Sequence, residues 1–284
     1  MFEGFKDVSA SVDGIHIHAI QAGRGPALLL LHGHPQTHAI WHKVAPALTQ
    51  HFTVIAADLR GYGDSGKPPG APDHANYAKR RMALDQLELM RALGHETFAV
   101  IGHDRGGRVA VRMALDHPDA LTRLVTLDVA PTLAMYEKTS FDFARAYWHW
   151  FMLVRPAPFP ETLIRANPDL YLKQTIGARS AGLAPFTAQA YAEYLRCLSD
   201  PDTAHGICED YRASVTIDLE HDRATLASQQ RIGCPFMSLW GAQGVIEQCF
   251  DPLAEWRAYA PDVQGEALPC GHYIPEEAPE LLLE

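Results

Sequence analysis

The sequence predicts an α/β fold in which a mostly parallel sheet is flanked by helices and a helical cap is inserted into the chain. Three observations predict it. Short apolar runs alternate with helical patterns through the first 130 residues, and each run ends near Gly or Asp. Residues 132–230 are then rich in aromatic side chains and helical patterns, and contain no run typical of a buried strand. Strand-like runs return at residues 234–242 and 263–273.

The apolar runs are interpreted as parallel strands buried on both faces of the sheet, because they lack the alternation of a half-exposed strand. They occupy residues 27–33, 52–61, 97–104 and 121–131. Residues 9–23 do alternate and predict an antiparallel hairpin at the sheet edge. Helical patterns cover residues 40–50, 76–93 and 105–117. Ligands of such a fold bind at the carboxyl ends of the strands.

The change from strand-like runs to helical, aromatic-rich patterns after Pro131 predicts a division of the chain into two parts. Residues 1–131 and 231–284 would form the core, and residues 132–230 the cap. The final residues, PEEAPELLLE, are typical of a helix that is cut short, so we expect a terminal helix to be missing.

Charge and composition exclude several classes of function. The net charge of −10 argues against nucleic acid as a partner, although local arginines could still bind a small anion. No secretory signal and no apolar run long enough to cross a membrane are found, so no membrane partner is expected. The five cysteines include no C-x-x-C pair, which indicates reduced thiols in a cytoplasmic protein.

The stretch VIGHDRGGRVA, residues 100–110, carries the strongest chemical signal. Asp104 follows an apolar strand, with Gly102 two residues before it and Gly106 two after, in the place that serine takes in G-x-S-x-G. Such a sharp turn needs small neighbours, and the following helix N-terminus stabilises an anion there. Asp104 is therefore a candidate nucleophile; the alternative is an ordinary helix cap.

Two further residues complete a catalytic set. His272, in PCGHYIP after the last strand-like run, is a candidate general base, although a histidine there could also be a surface residue. The third acid usually follows the strand FMSLWG, but WGAQG contains none. Asp128 can take this role from the end of LVTLD, 24 residues beyond Asp104, unless it is only a turn residue.

The segment LLHGHPQTHAIW supplies a second element of the site. The backbone N–H groups of His34 and Arg105 would form an oxyanion hole. The histidines of this segment also raise the alternative of a metal site, at positions 32, 34, 38 and 42. Because H-x-H runs into Pro35 and has no nearby acid ligand, we expect no metal and no other cofactor.

The nucleophile decides the chemistry. A carboxylate can displace a leaving group from a saturated carbon and form an ester. His272 and Asp128 would then activate water against the ester carbonyl, which is why an oxyanion hole is still needed. The expected substrates carry a leaving group on sp³ carbon, as halides and epoxides do.

Four segments together resemble the fluoroacetate (haloacetate) dehalogenases of the α/β-hydrolase superfamily: HGHPQTHAIW, ADLRGYGDSGKP, GHDRGGRVA and EDYRAS. The resemblance covers nearly the whole chain and implies the α/β-hydrolase fold. It implies that Asp104 is the nucleophile, His272 the base and Asp128 its orienting acid. Arg105 and Arg108 match the pair that clamps the substrate carboxylate, a task that suits the guanidinium fork, whereas haloalkane dehalogenases and many epoxide hydrolases usually carry Trp after the nucleophile.

The resemblance also implies halide-binding donors in the cap. His149 and Trp150 in YWHWF and Tyr211 in EDYRA match the family's set, and their N–H and O–H groups can converge on a small anion. The alternative for these aromatic side chains is packing within the cap.

Two positions depart from the family. His34 stands where an apolar aromatic ring is usual, so we expect a polar ring at the pocket mouth. The cap segment YLKQTIGARSAGL lacks the tryptophan that relatives tend to carry and looks one residue shorter. This absence affects the expected substrate size, and defluorination above all.

Three functions remain open from the sequence. The first is a cytoplasmic, cofactor-independent haloacetate dehalogenase acting on a small anionic haloacid, in a fold that often supports a homodimer. The second is an epoxide hydrolase with the same Asp104, His272 and Asp128, which would need two cap tyrosines from among Tyr211, Tyr147 and Tyr136. The third is a non-catalytic ligand receptor of the same fold, although such proteins often lack part of the site that is kept here.

Overall fold

The computed structural model describes residues 1–179 and 181–284, in which eight strands form a single sheet in the order β1-β2-β4-β3-β5-β6-β7-β8. The strands are β1 (Lys6–Val12), β2 (Ile15–Gly23), β3 (Ala27–Leu31), β4 (Thr53–Ala57), β5 (Phe98–His103), β6 (Leu121–Leu127), β7 (Phe236–Gly241) and β8 (Gln264–Leu268). The pairs β1·β2 and β2·β4 are antiparallel and the other pairs are parallel. The predicted edge hairpin and the mostly parallel sheet are confirmed.

Helices cover both faces of this sheet. Those that precede β6 are α1 (Ala45–Leu48), α2 (Lys79–Ala92) and α3 (Arg105–Asp116). Those that follow β7 are α12 (Val245–Cys249), α13 (Pro252–Trp256), α14 (Ile274–Glu277) and α15 (Pro279–Leu283). Short 3-10 turns at His38–Lys43, Ala75–Tyr77 and Pro118–Ala120 join these elements. The arrangement confirms the α/β-hydrolase fold class.

Eight helices stand between β6 and β7 in the described part of the chain. They are α4 (Thr132–Glu137), α5 (Phe141–Ala146), α6 (Trp148–Leu153), α7 (Phe159–Ala166), α8 (Pro168–Leu172), α9 (Ala188–Leu198), α10 (Pro201–Val215) and α11 (Ile217–Ala227), with a π-helical turn at Lys173–Gly177 after α8. The division at residues 131 and 231 stays a prediction. Ser180, inside the segment without the family's tryptophan, lies outside the described residues.

Burial explains why the central elements form where they do. All five residues of β3 are buried, as expected for an apolar strand covered on both faces. In α3, eleven of the twelve residues are buried, including three arginines. Since charged side chains are seldom fully buried without partners, these arginines must be paired or hydrogen-bonded within the fold. No helix in the described ranges is long and apolar enough to cross a membrane.

Candidate active site

Asp104 occupies a strained turn between β5 and α3. Its φ of 44° and ψ of −110° lie outside the regions that ordinary side chains favour. A Cβ atom on Gly102 would lie 2.5 Å from the carbonyl oxygen of Gly106, and one on Gly106 would lie 2.5 Å from that of Leu31. Both positions therefore require glycine, and the predicted nucleophile elbow is present as a geometric feature.

The Asp104 carboxylate is buried and ionised. The backbone N–H of His34 donates to its Oδ1 at 3.1 Å. Burial alone would raise the pKa of this carboxyl, but positive charge, from His272 once it is protonated at low pH and from the guanidinium groups of Arg108 and Arg105 at all pH values, holds it well below its usual range. One oxygen of Asp104 is thus held by the backbone, and the group is charged as a nucleophile must be.

His272 and Asp128 form a hydrogen-bonded pair at the ends of neighbouring strands. The Nδ1–H of His272 donates to Asp128 Oδ2 at 2.5 Å. The backbone N–H of Gly241, at the end of β7, donates to Asp128 Oδ1 at 2.9 Å. The acid of the pair therefore comes from the end of β6. The end of β7, where WGAQG contains no acid, orients the Asp128 carboxylate through a backbone N–H group.

Burial sets the charge state of this pair. It lowers the pKa of His272, and the cations of Arg179 and Arg108 add to the effect. Burial also raises the pKa of Asp128. The imidazole is therefore neutral at neutral pH, and with Nδ1 bonded to Asp128 its Nε2 is left to accept a proton. His103 supports the arrangement, since its Nε2 donates to the carbonyl oxygen of His272 at 2.9 Å.

The Arg105 side chain is fully buried and partly neutralised by the cap. Its Nε donates to Asp210 Oδ2 at 2.8 Å and its Nη2 to Asp210 Oδ1 at 2.7 Å, with a further bond to Ser214. The guanidinium carbon lies 4.1 Å from the centre of the Tyr211 ring. Its Nη1 is buried and has no hydrogen-bond partner among the described residues. Arg105 thus keeps one N–H group for a ligand.

Arg108 is held at the junction of the predicted core and cap. Its Nη1 donates to the carbonyl oxygen of Ala130 at 3.0 Å and to Thr132 Oγ1 at 2.7 Å. The guanidinium carbon lies 4.9 Å from the centre of the Trp150 ring. Its Nε is buried without a partner in the ranges that the structure covers. Both predicted clamp arginines therefore keep an unused donor.

The three predicted halide-binding residues lie together against these arginines. The Tyr211 ring centre is 6.1 Å from those of both Trp150 and His149. Trp150 Nε1 and Tyr211 Oη are buried and, within the described chain, make no hydrogen bond. Burial lowers the pKa of His149 well below its usual value, so this ring is neutral. The cap thus presents neutral donors to a small space beside two cations.

The expectation that His34 lies at the pocket mouth is wrong. The residue is only 3% exposed, and its ring stacks on His149 at 5.7 Å between centroids. A hydrogen bond of 2.9 Å joins its Nε2 to Tyr171 Oη. Burial lowers the pKa of His34 to about 3. His34 is therefore a neutral part of the interior wall, and the tyrosine that holds it could not be identified from sequence spacing.

The argument that no acid lies near the histidine-rich segment is also wrong. His18, His38 and Asp58 have ligand atoms within 4.8 Å of one another, close enough to hold a metal ion. The sequence hid this contact because Asp58 stands 20 residues beyond His38. Both oxygens of Asp58 already accept backbone N–H groups, from His38 at 2.8 Å and from Asp64 at 3.0 Å. These bonds fix the Asp58 carboxylate to the backbone of the turn at His38 and of the loop at Asp64.

Two candidate functional residues, Asp210 and Arg179, are not predicted by the sequence. Asp210 lies in EDYRAS but was not singled out, although it neutralises Arg105 and contacts Lys79. Arg179 lies in the cap segment without the family's tryptophan, and its guanidinium carbon is 4.4 Å from the centre of the Tyr147 ring. It lines a cavity of about 470 Å³ together with His149 and His272. The chemistry of both side chains was visible in the sequence, but their positions were not.

Comparisons with known proteins agree with this geometry. The profile of the family described as alpha/beta hydrolase fold matches residues 26–279. The chain is 46% identical over 281 residues to a fluoroacetate dehalogenase of Burkholderia sp, covering 99% of this chain and 92% of that protein. It is 35% identical to a soluble epoxide hydrolase of Corynebacterium sp. (strain C12), covering 97% and 93%. The structure of ALR0039 from Nostoc sp PCC 7120 superimposes with a TM-score of 0.97 at 52% identity, covering 100% and 97%.

Proposed function

The chain belongs to the α/β-hydrolase family as a relative of the fluoroacetate dehalogenases, and from this premise we propose that it removes halide hydrolytically from small 2-haloacids. A haloacetate would give glycolate and halide. One observation carries the proposal: the ionised Asp104 shares a buried site with two arginines, each of which keeps an N–H group without a partner among the described residues. Such a site suits a substrate that brings its own carboxylate.

The first half-reaction is a displacement at saturated carbon. Since the backbone of His34 holds Oδ1 of Asp104, Oδ2 is left to attack the carbon that bears the halogen. The carbon–oxygen bond forms as the carbon–halogen bond breaks, and the halide leaves with the bonding electrons. Arg105 and Arg108 fix the carboxylate of the substrate, while His149, Trp150 and Tyr211 donate to the departing halide.

The second half-reaction hydrolyses the ester of Asp104. His272 Nε2 takes a proton from water, and Asp128 stabilises the imidazolium that forms. Water attacks the ester carbonyl, whose oxygen is Oδ1 and already accepts the N–H of His34. The backbone N–H of Arg105 is the second donor to the developing oxyanion. As the tetrahedral species breaks down, His272 gives its proton to the leaving alkoxide oxygen, the 2-hydroxyacid is released, and Asp104 loses the remaining proton to solvent and is a carboxylate again.

An epoxide hydrolase is the second candidate, and a specific observation favours it. Tyr211, Tyr147 and Tyr136 all have buried hydroxyl groups without hydrogen-bond partners in the described ranges. A pair of them could protonate an epoxide oxygen while Asp104 attacks. The two arginines have no evident task in that reaction, which places the haloacid first.

One experiment separates these functions. The protein is incubated with fluoroacetate, chloroacetate and styrene oxide, and halide release and diol formation are measured. Halide release from the acids that disappears in Asp104→Asn supports the proposal, with the exposed Asp119→Asn as a matched control. Diol formation without halide release points to the epoxide hydrolase. Neither product would indicate a receptor.

A second variant tests the carboxylate clamp. Arg108→Ala should raise KM for chloroacetate about 10- to 150-fold, because it removes a charged hydrogen bond to the substrate. An unchanged KM would remove Arg108 from the binding site.

A further inference from the structure

Arg179 is a third guanidinium at this site. Its Nε donates to the carbonyl oxygen of Thr175 at 3.3 Å, and its guanidinium carbon lies 4.4 Å from the Tyr147 ring centre and 6.0 Å from that of Tyr273. Its Nη1 is shielded from solvent and makes no hydrogen bond to any described residue. The group is thus held in one place by a carbonyl and two aromatic faces, with a donor unused.

Arg179 is not paired with a carboxylate in the described residues, although the negative charge of Asp104 acts on it and raises its pKa. Arg105 and Lys79 are matched by Asp210, and Lys79 also lies 3.7 Å from Asp218. The Arg179 side chain is half-buried, but its Nη1 is shielded and has no hydrogen-bond partner among the described residues. This donor is therefore free for an anionic ligand.

The cavity beside Arg179 is suited to an anion. Its lining includes Gln174, Gln243 and Gln248, whose side chains can donate hydrogen bonds, and none of its described lining residues is acidic. It lies between the cap and the loop after β7, and its lining reaches His149 and His272. The donors of this cavity therefore continue directly into the proposed reaction site.

The cavity is larger than a haloacetate requires. Its volume is about 470 Å³, whereas one water occupies about 30 Å³ of the liquid and a haloacetate has only about five times as many heavy atoms. Asp104, Arg105 and Arg108 do not line this cavity, so a substrate held by them would need a longer chain to extend into it and reach Arg179.

We propose that Arg179 binds a second carboxylate, so that the preferred substrates are 2-halogenated dicarboxylates of about four carbons. This inference rests on the proposed function. Arg105 and Arg108 hold the carboxylate next to the halogen, and Arg179 holds the distal one through its guanidinium. Asp104 displaces the halide from C2, water then hydrolyses the ester, and the product is a 2-hydroxydicarboxylate.

Two four-carbon substrates test the assignment. 2-Chlorosuccinate and 2-chlorobutanoate share the reacting centre and differ in whether the distal group is a carboxylate or a methyl. The wild-type kcat/KM should favour 2-chlorosuccinate, and Arg179→Gln should lower that preference at least tenfold, chiefly through KM. Arg179→Lys keeps the charge but not the forked guanidinium, so its preference for 2-chlorosuccinate should lie between those of the wild type and of Arg179→Gln.

A charge-matched control distinguishes binding from electrostatic attraction. Arg145 lines the same cavity, but its side chain is 73% exposed. Arg145→Gln should leave the substrate preference within about twofold. The assignment is overturned if Arg179→Gln slows both substrates equally, or if Arg145→Gln lowers the preference for 2-chlorosuccinate as much as Arg179→Gln does. In either case Arg179 would act only by long-range attraction of anions. Thermal unfolding of each variant checks folding.

A binding measurement keeps this inference separate from the proposed function. Calorimetry with succinate and butanoate requires no turnover, and wild type should bind succinate at least tenfold more tightly, a difference lost in Arg179→Gln. Succinate preference without halide release would contradict the dehalogenase but keep the dicarboxylate site. Halide release with equal binding of the two acids would keep the dehalogenase and overturn the site.

Discussion

The site has a core wall, formed by Asp104, Arg105, Arg108, Asp128 and His272, and a cap wall, formed by His149, Trp150, Tyr211 and Arg179. The two walls differ in how many of their polar groups already have hydrogen-bond partners within the protein. On the core wall, Asp104, Asp128 and His272 each have a hydrogen-bond partner within the protein. On the cap wall, Trp150 and Tyr211 have donors with no partner in the described chain. The core thus positions the reacting groups before substrate arrives, and its two arginines keep donors for the substrate carboxylate, whereas the cap leaves donors for the rest of the substrate. We infer that the core determines the reaction and the acid group, and that the cap determines the leaving group and the remainder of the substrate.

The largest expected effect comes from breaking the core wall at His272. His272→Gln should reduce steady-state turnover on the order of 10⁴-fold, because the base that activates water is lost. Displacement by Asp104 does not need this base, so one equivalent of halide should appear in a single burst. Rapid-mixing halide measurements and the mass of the intact protein would detect the trapped ester. A loss of the burst as well would show that His272 acts before the ester forms.

The next prediction concerns the contact between the two walls. Asp210→Asn weakens the partner of the fully buried Arg105 and should lower the free energy of unfolding by about 3–5 kcal/mol. Urea unfolding measures this change. Asp64→Asn is the matched control, because it breaks an exposed pair with Arg196 and should cost less than about 1 kcal/mol. Equal losses would mean that burial does not decide the strength of the Arg105 pair.

These two sites also show what the sequence could predict. The Asp104 elbow was predictable because strand, turn and helix are consecutive, and the glycine spacing follows from the close backbone approach at Gly102 and Gly106. The Arg105–Asp210 pair was not, since its partners stand 105 residues apart on α3 and α10. Local patterns identify a turn and its chemistry, whereas pairings across the cap depend on how helices pack.

The two departures in the cap illustrate the same limit. His34 was recognised as unusual, but its place in the interior depends on Tyr171, which lies 137 residues away. The sequence of the segment that lacks the tryptophan gives no reason to assign Arg179 a role. Its position between the Tyr147 ring and the cavity depends on the turn after α8, which no sequence period indicates.

A smaller effect is expected on the cap wall. Trp150→Phe keeps most of the packing against Arg108 but removes the indole N–H, so kcat should fall about tenfold, the amount of one hydrogen bond to a charged group. The loss should be greater for fluoroacetate than for bromoacetate, since fluoride depends most on donors as it leaves. Trp148→Phe, two residues away and 37% exposed, is the control. Equal losses for both halogens would remove Trp150 from the halide site.

The smallest effect concerns the pH dependence of ester hydrolysis. Burial lowers the pKa of His272, so its neutral form should persist below the usual histidine pKa of about 6.5 and the rate should fall only as the pH drops further. The ionisable side chains that act on this pKa or on that of its partner come from both walls: Asp104, Arg108, His103, Asp128, Arg179 and Glu277. Single-turnover rates should therefore stay level from about pH 8 down to about pH 5. A limb at or above pH 6.5 would mean that the imidazole is not desolvated, and hence that the cap does not close the core wall from water.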